Sequence, residues 1–218
     1  MRLSKTLIAA AALAAAGASY ASPSTITLVS DSPIPQVPVS VSFNGGSSYA
    51  GRSVLEYVVD STAPAGTFAA FCLEPFQHLT LPWVYDNSGS FTAAEDNALS
   101  KLFTGAHWES WNPASDGVTQ DFQRVGLALA VWDITFDNGV LDFSNGIFRV
   151  GNDGFGGAAE TFAMNSYAAG NTSLAPYLIR MTDPVKQDFI IAVPEPETYV
   201  LMIAGLMAVG FLSRRRKS

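Results

Sequence analysis

Asp121-Phe122-Gln123-Arg124-Val125-Gly126-Leu127-Ala128-Leu129-Ala130-Val131-Trp132-Asp133-Ile134 is the stretch whose reading decides the fold. With a period of 3.6 residues, Phe122, Val125, Leu129 and Trp132 share one face, and Leu127, Val131 and Ile134 populate the next. The spacing predicts a helix that is apolar over most of its circumference, lies in the core and is capped near Thr119. Its rival is a pair of strands, which would make the chain an all-β sandwich. The helical reading makes it α+β.

Outward from that helix, Thr92-Ala93-Ala94-Glu95 is a capping box ahead of Ala98, Leu99, Leu102 and Phe103, with Gly105 as the stop. A third helix is expected over Ala158–Ala169, from a glycine-rich loop at 151–157 to Gly170. The first third of the chain alternates as strands do, over 25–29, 37–43, 54–59 and 67–73, between clusters of Pro, Gly, Asn and Ser. Pro33, Pro35 and Pro38 favour an edge there, because proline has no N–H for a ladder. Phe189-Ile190-Ile191, within 186–193, reads as a closing strand. The expected architecture is a β-sandwich or sheet with a three-helix insertion, followed by a C-terminal transmembrane helix.

Both ends carry targeting patterns. Arg2 and Lys5 precede an alanine-rich apolar stretch at 6–16, and Ser19-Tyr20-Ala21 offers the small residues a signal peptidase reads, with cleavage expected after Ala21. At the other end Val193-Pro194-Glu195-Pro196-Glu197-Thr198 leads into the uncharged run 199–212 and then Arg214-Arg215-Arg216-Lys217. That run spans roughly 21 Å as a helix, short of the ~30 Å hydrocarbon core, but snorkelling cations and local thinning make up the difference. The positive-inside rule puts Arg214, Arg215, Arg216 and Lys217 in the cytoplasm as the anchor and everything before Val193 outside. Three segments follow: a signal peptide at 1–21, one extracytoplasmic domain at 22–192 and a tail at 193–218.

The Pro-Glu-Pro triplet, apolar segment and terminal basic cluster together resemble the PEP-CTERM sorting signal of Gram-negative bacteria. The resemblance implies recognition by an exosortase, a membrane cysteine protease, with Pro194, Glu195 and Pro196 as the sorting motif. It implies passage through the inner membrane, transient anchoring there, and a final place at the outer cell surface or in an extracellular matrix, with exopolysaccharide as a further partner.

Between the leader and the apolar run lie six basic and nineteen acidic residues, a balance of minus thirteen. Such a surface repels nucleic acid, which is excluded as a partner. Cys72 is the single cysteine, so no intramolecular disulfide forms despite the oxidising compartment. Ala70-Phe71-Cys72-Leu73-Glu74-Pro75 and Leu127-Ala128-Leu129-Ala130-Val131-Trp132 resemble the two signature segments of thioester domains, in which a cysteine sulfur and a glutamine side chain join with loss of ammonia. Counting back four from Trp132, the family glutamine falls on Ala128, which has no carbonyl to acylate. The resemblance therefore implies a thioester scaffold without its chemistry, unless another glutamine such as Gln77 or Gln187 takes over.

Conventional catalysis has less to stand on. Neither His78 nor His107 has a recognisable spacing to Cys72, and two histidines do not make a zinc site. Asp133, Asp137, Asn138 and Asp142 are clustered oxygen donors, but their spacing fails the calcium-loop pattern. Asp137-Asn138-Gly139 and Asn152-Asp153-Gly154 read as tight turns, and neither metal nor cofactor is expected. Trp83, Tyr85, Trp108 and Trp111 sit in loop-like segments, where they either stack on sugar rings or cover the edges of the core. The functional expectation is a non-enzymatic, exported structural or adhesive protein. The alternatives are a covalent thioester adhesin using Cys72 and an extracellular glycan-binding module or hydrolase.

Overall fold

In the computed structural model the described residues are 25–44, 48–62, 65–74, 83–108, 121–152, 154–174 and 178–192. The segment 1–21 expected to be a signal peptide, the tail 193–218, and Gln77, His78, Trp111 and Thr119 lie outside them. The chain runs β1 (Thr25–Phe43), β2 (Ser48–Thr62), β3 (Ala65–Cys72), β4 (Trp83–Gly89), α1 (Ala93–Gly105), α2 (Asp121–Phe136), β5 (Phe148–Asn152), α3 (Ala158–Ala169), β6 (Leu178–Thr182) and β7 (Phe189–Ala192). The class is α+β, and all described strands belong to one compact unit, Pro23–Pro194.

The strands differ from the sequence expectation in two ways. The two strands expected at 25–29 and 37–43 are one, β1, which continues through all three prolines. Its pairing explains how. β2 pairs along almost its whole length, whereas on the other side β4 pairs only with residues 25–28 and β5 only with residues 40–43. The prolines at 33, 35 and 38 fall in the interval between, where no second ladder asks for their missing N–H. Register shifts near Leu28, Ile34 and Val39 bend the strand as it passes from one neighbour to the next.

The second difference is closure. β1, β2, β3, β7, β6 and β4 pair in that order, all antiparallel, and β4 pairs again with β1. Instead of two facing sheets with open edges, six strands form a ladder that returns to its start, and β5 hangs outside it on β1. The helices are not one insertion either, since α1 and α2 precede β5 and α3 follows it.

The helices form where their patterns put them. Thr92 caps α1 through a reciprocal pair, Glu95 N donating to Thr92 Oγ1 at 3.2 Å and Thr92 N to Glu95 Oε2 at 2.7 Å. Helix α2 is buried from Arg124 through Ile134, and it touches α1, α3, β1, β2, β3 and β5. Gly105 and Gly170 do end their helices, but close approach is the reason. A Cβ on Gly105 would fall on the carbonyl of Ser166 in α3, and one on Gly170 on the carbonyl of Lys101 in α1. Ser100 and Thr104 of α1 complete the joint through Leu174 N, Asn171 N and Asn171 O. Among the described residues no helix is long and apolar enough to cross a membrane, and the run 199–212 lies outside them.

Candidate functional site

Cys72 ends β3, opposite Phe189 of β7 in the ladder, and is 1% exposed. The next residue is fixed to the same strand, Leu73 N donating to Asp188 O at 2.9 Å. From the helical side, the indole Nε1 of Trp132 donates to Cys72 O at 2.7 Å within the core. The two segments singled out in the sequence therefore meet, through a backbone carbonyl and a side chain. One turn before Trp132, Ala128 is also buried and presents only a methyl group.

Around Cys72 lies a polar cluster that the sequence did not announce. It draws Glu74 from the end of β3, Tyr85 from β4, Arg180 from β6, Asp183 from the turn after it, and Gln187 and Asp188 from the approach to β7. Gln187 is 5% exposed and its Nε2 donates to Glu74 O at 2.7 Å. Asp188 accepts from Asp183 N at 3.0 Å and faces Arg180 Nη2 at 3.6 Å, while the guanidinium lies 5.4 Å from the centre of the Phe91 ring. Tyr85 is fully buried with its ring edge on Phe189, centroids 5.6 Å apart.

The cluster favours uncharged groups. Burial raises the Glu74 carboxyl above its ordinary range and the Asp188 charge adds to this, with Arg180 pulling the other way. Burial also raises Asp188, against the Asp183 N–H and Arg180. The Tyr85 phenol is pushed well above its usual range by burial first, then by Asp183, Cys72 and Asp188. Glu74 Oε2, Tyr85 OH and Arg180 Nε are buried without a hydrogen-bond partner, three of five such atoms among the described residues. Perturbed acids and unpartnered polar atoms in one place mark a functional candidate. The sequence signal that could have found it is the short polar pattern 180–188 between β6 and β7, with acids at 183 and 188.

The structure places two other sets of sequence candidates. Of the two alternatives for the aromatics, Tyr85 and Trp108 take the core: Tyr85 is a buried strand residue rather than a loop residue, and Trp108 is 6% exposed with its ring edge on Phe103. Trp83 lies in β4. The acids after α2 are structural acceptors. Asp137 takes Ile147 N at 2.6 Å and Phe148 N at 3.3 Å, Asp142 takes Ser144 N and Asn145 N, and Asp133 Oδ2 takes Asp142 N. Among the described residues no group of three His, Cys, Asp or Glu can hold a metal ion. His107 is exposed, in a left-handed turn beyond α1, whereas Cys72 is buried. A separate open pocket of about 400 Å³ at the start of α3, lined by Phe122, Gly157, Thr161, Phe162 and Asn165, holds no titratable side chain.

Comparison with known proteins locates a motif of defined role. The PEP-CTERM protein-sorting motif matches residues 192–217, which include Pro194, Glu195, Pro196 and the four terminal cations. The motif marks the chain as an exported protein that transits the membrane before exosortase processing. No curated protein and no solved structure matches the chain.

Proposed function

We propose that the protein is a non-enzymatic structural or adhesive component of the outer cell surface or exopolysaccharide matrix, delivered there by an exosortase. The single observation that carries this reading is the sorting motif at 192–217. The acidic body supports it, since a balance of minus thirteen keeps an exported protein soluble and off anionic lipid. The buried thiol and the methyl group of Ala128 support a passive scaffold over a reactive one. Fractionation with an antibody to the domain tests it: the processed form is expected in the surface and matrix fractions. Recovery only as soluble periplasmic protein would overturn it.

One observation favours a second reading, a covalent adhesin. Cys72 faces Phe189 in the ladder, and Gln187, two residues before Phe189, reaches the carbonyl of Glu74, two residues after Cys72. A thioester between Cys72 Sγ and Gln187 Cδ would release ammonia and break the Gln187–Glu74 hydrogen bond. Intact mass of the purified protein separates the readings. The plain mass with one thiol titrating after unfolding supports the passive scaffold; loss of one ammonia and no thiol supports the adhesin.

A further inference from the structure

The chain has three Asn-Gly pairs, at 44–45, 138–139 and 145–146. Gly45 lies outside the described residues, and the other two pairs, within one loop, differ in whether the glycine N–H is hydrogen-bonded. In an Asn-Gly pair the glycine amide nitrogen can attack the asparagine Cγ. The new N–C bond closes a succinimide, the carboxamide C–N bond breaks, the glycine N–H proton is lost to solvent and the leaving nitrogen departs as ammonia. Water then opens the ring at either carbonyl, giving Asp or isoaspartate. The step needs a glycine N–H that is not engaged and a backbone free to turn.

At Asn138 neither condition holds. Gly139 N donates to Ile134 O at 2.7 Å as part of the end of α2, and Gly139 packs so closely on Ala94 that a Cβ there would lie 2.6 Å from its carbonyl carbon. At 145–146 both residues are exposed and, among the described residues, the Gly146 N–H has no hydrogen-bond partner. A Cβ on Gly146 would fall on the Asp137 carboxylate, so it is the unengaged N–H, not open space, that separates it from Gly139. Gly146 has φ +110°, in the region open to glycine. The Asn145 side chain is held by one exposed contact, Nδ2 to Asp142 Oδ2 at 3.0 Å.

We propose that Asn145 is a site of spontaneous deamidation and that the fold protects Asn138 from the same reaction. The product loosens the loop 137–147. It replaces the Nδ2–H donor to Asp142 by a carboxylate that faces the Asp142 carboxylate across the former 3.0 Å hydrogen bond. Like charges at this spacing repel.

The test is peptide mapping by mass spectrometry of the purified protein held folded at mildly alkaline pH, beside an unfolded sample. Asp and isoaspartate are expected at 145 at least roughly tenfold faster than at 138, because reaction at 138 must first break a hydrogen bond. In the unfolded sample the two rates should converge. Equal rates in the folded protein, a faster reaction at 138, or no product at 145 while the unfolded sample converts would each overturn the assignment. Asn145→Gln should abolish the product in its peptide, and Asn145→Asp should lower the melting temperature. An unchanged melting temperature in Asn145→Asp would contradict the loosening.

Discussion

Asp133 carries one carboxyl oxygen on Asp142 N and another that is buried without a partner, one helical turn from the Asp137 carboxylate. Burial first, then Asp137, pushes it from an ordinary 3.8 up to about 8, with the Asp142 N–H working against the shift. The folded protein therefore keeps a proton that the unfolded chain releases anywhere between those values. Stability falls as pH rises through that window, approaching about 1.4 kcal/mol per pH unit, and levels off above the folded value. Glu74 and Asp188 are raised too and add to the slope. Urea titrations from pH 5 to 8 should show a flatter profile for Asp133→Asn, which still offers an acceptor to Asp142 N; identical slopes would place the proton elsewhere. Cys72 gives a second prediction at this scale. Iodoacetamide should label it slowly in the folded protein and rapidly in denaturant, and fast native labelling would contradict the burial. Single residues were unevenly legible. The Asp137-Asn138-Gly139 turn follows from residue type, and the structure has Asn138 and Gly139 at φ +51° and +88°. For Tyr85 and Trp108 the sequence left two alternatives, sugar platform or core cover, and the strand position of Tyr85 was not legible, because Asp86 beside it is exposed while its own ring is buried.

The secondary-structure elements were legible where one physical signal dominates. The capping box fixed the start of α1, and apolarity over two adjacent faces fixed α2 as a core helix. Thr92→Ala should cost about 1 kcal/mol by removing one half of the box. Gly105→Ala should cost more, about 1–3 kcal/mol or above, since α3 must retreat from α1 to admit the methyl group. Equal costs in chemical denaturation would show that the joint relaxes easily. β4, β5 and β6 were not found from the sequence. They are five to seven residues long, and β5 and β6 owe their conformation to neighbours distant in sequence. β1 failed in the opposite sense, since proline argues against a strand until its unpaired interval is known. Trp132→Phe tests the joint between helix and ladder: it removes the buried indole bond to the carbonyl of Cys72, at about 0.5–1.5 kcal/mol.

At the scale of the whole molecule, closure of the ladder removes most open strand edges and leaves β5 outside it, which limits edge-to-edge association of an exported protein. The sequence could not disclose closure, because it depends on β1 reaching β4 and β5 at its two ends. Nor could it disclose the polar cluster beside Cys72, assembled from four strands and their flanks. It did disclose export and membrane transit before exosortase processing, since a sorting signal is read as sequence. That sorting is the central claim, and its most direct test is replacement of Pro194, Glu195 and Pro196 by alanine in the full-length protein, followed by fractionation and intact mass. Accumulation of the unprocessed form in the inner membrane is the predicted result; a mature form of unchanged mass outside the cell would contradict it.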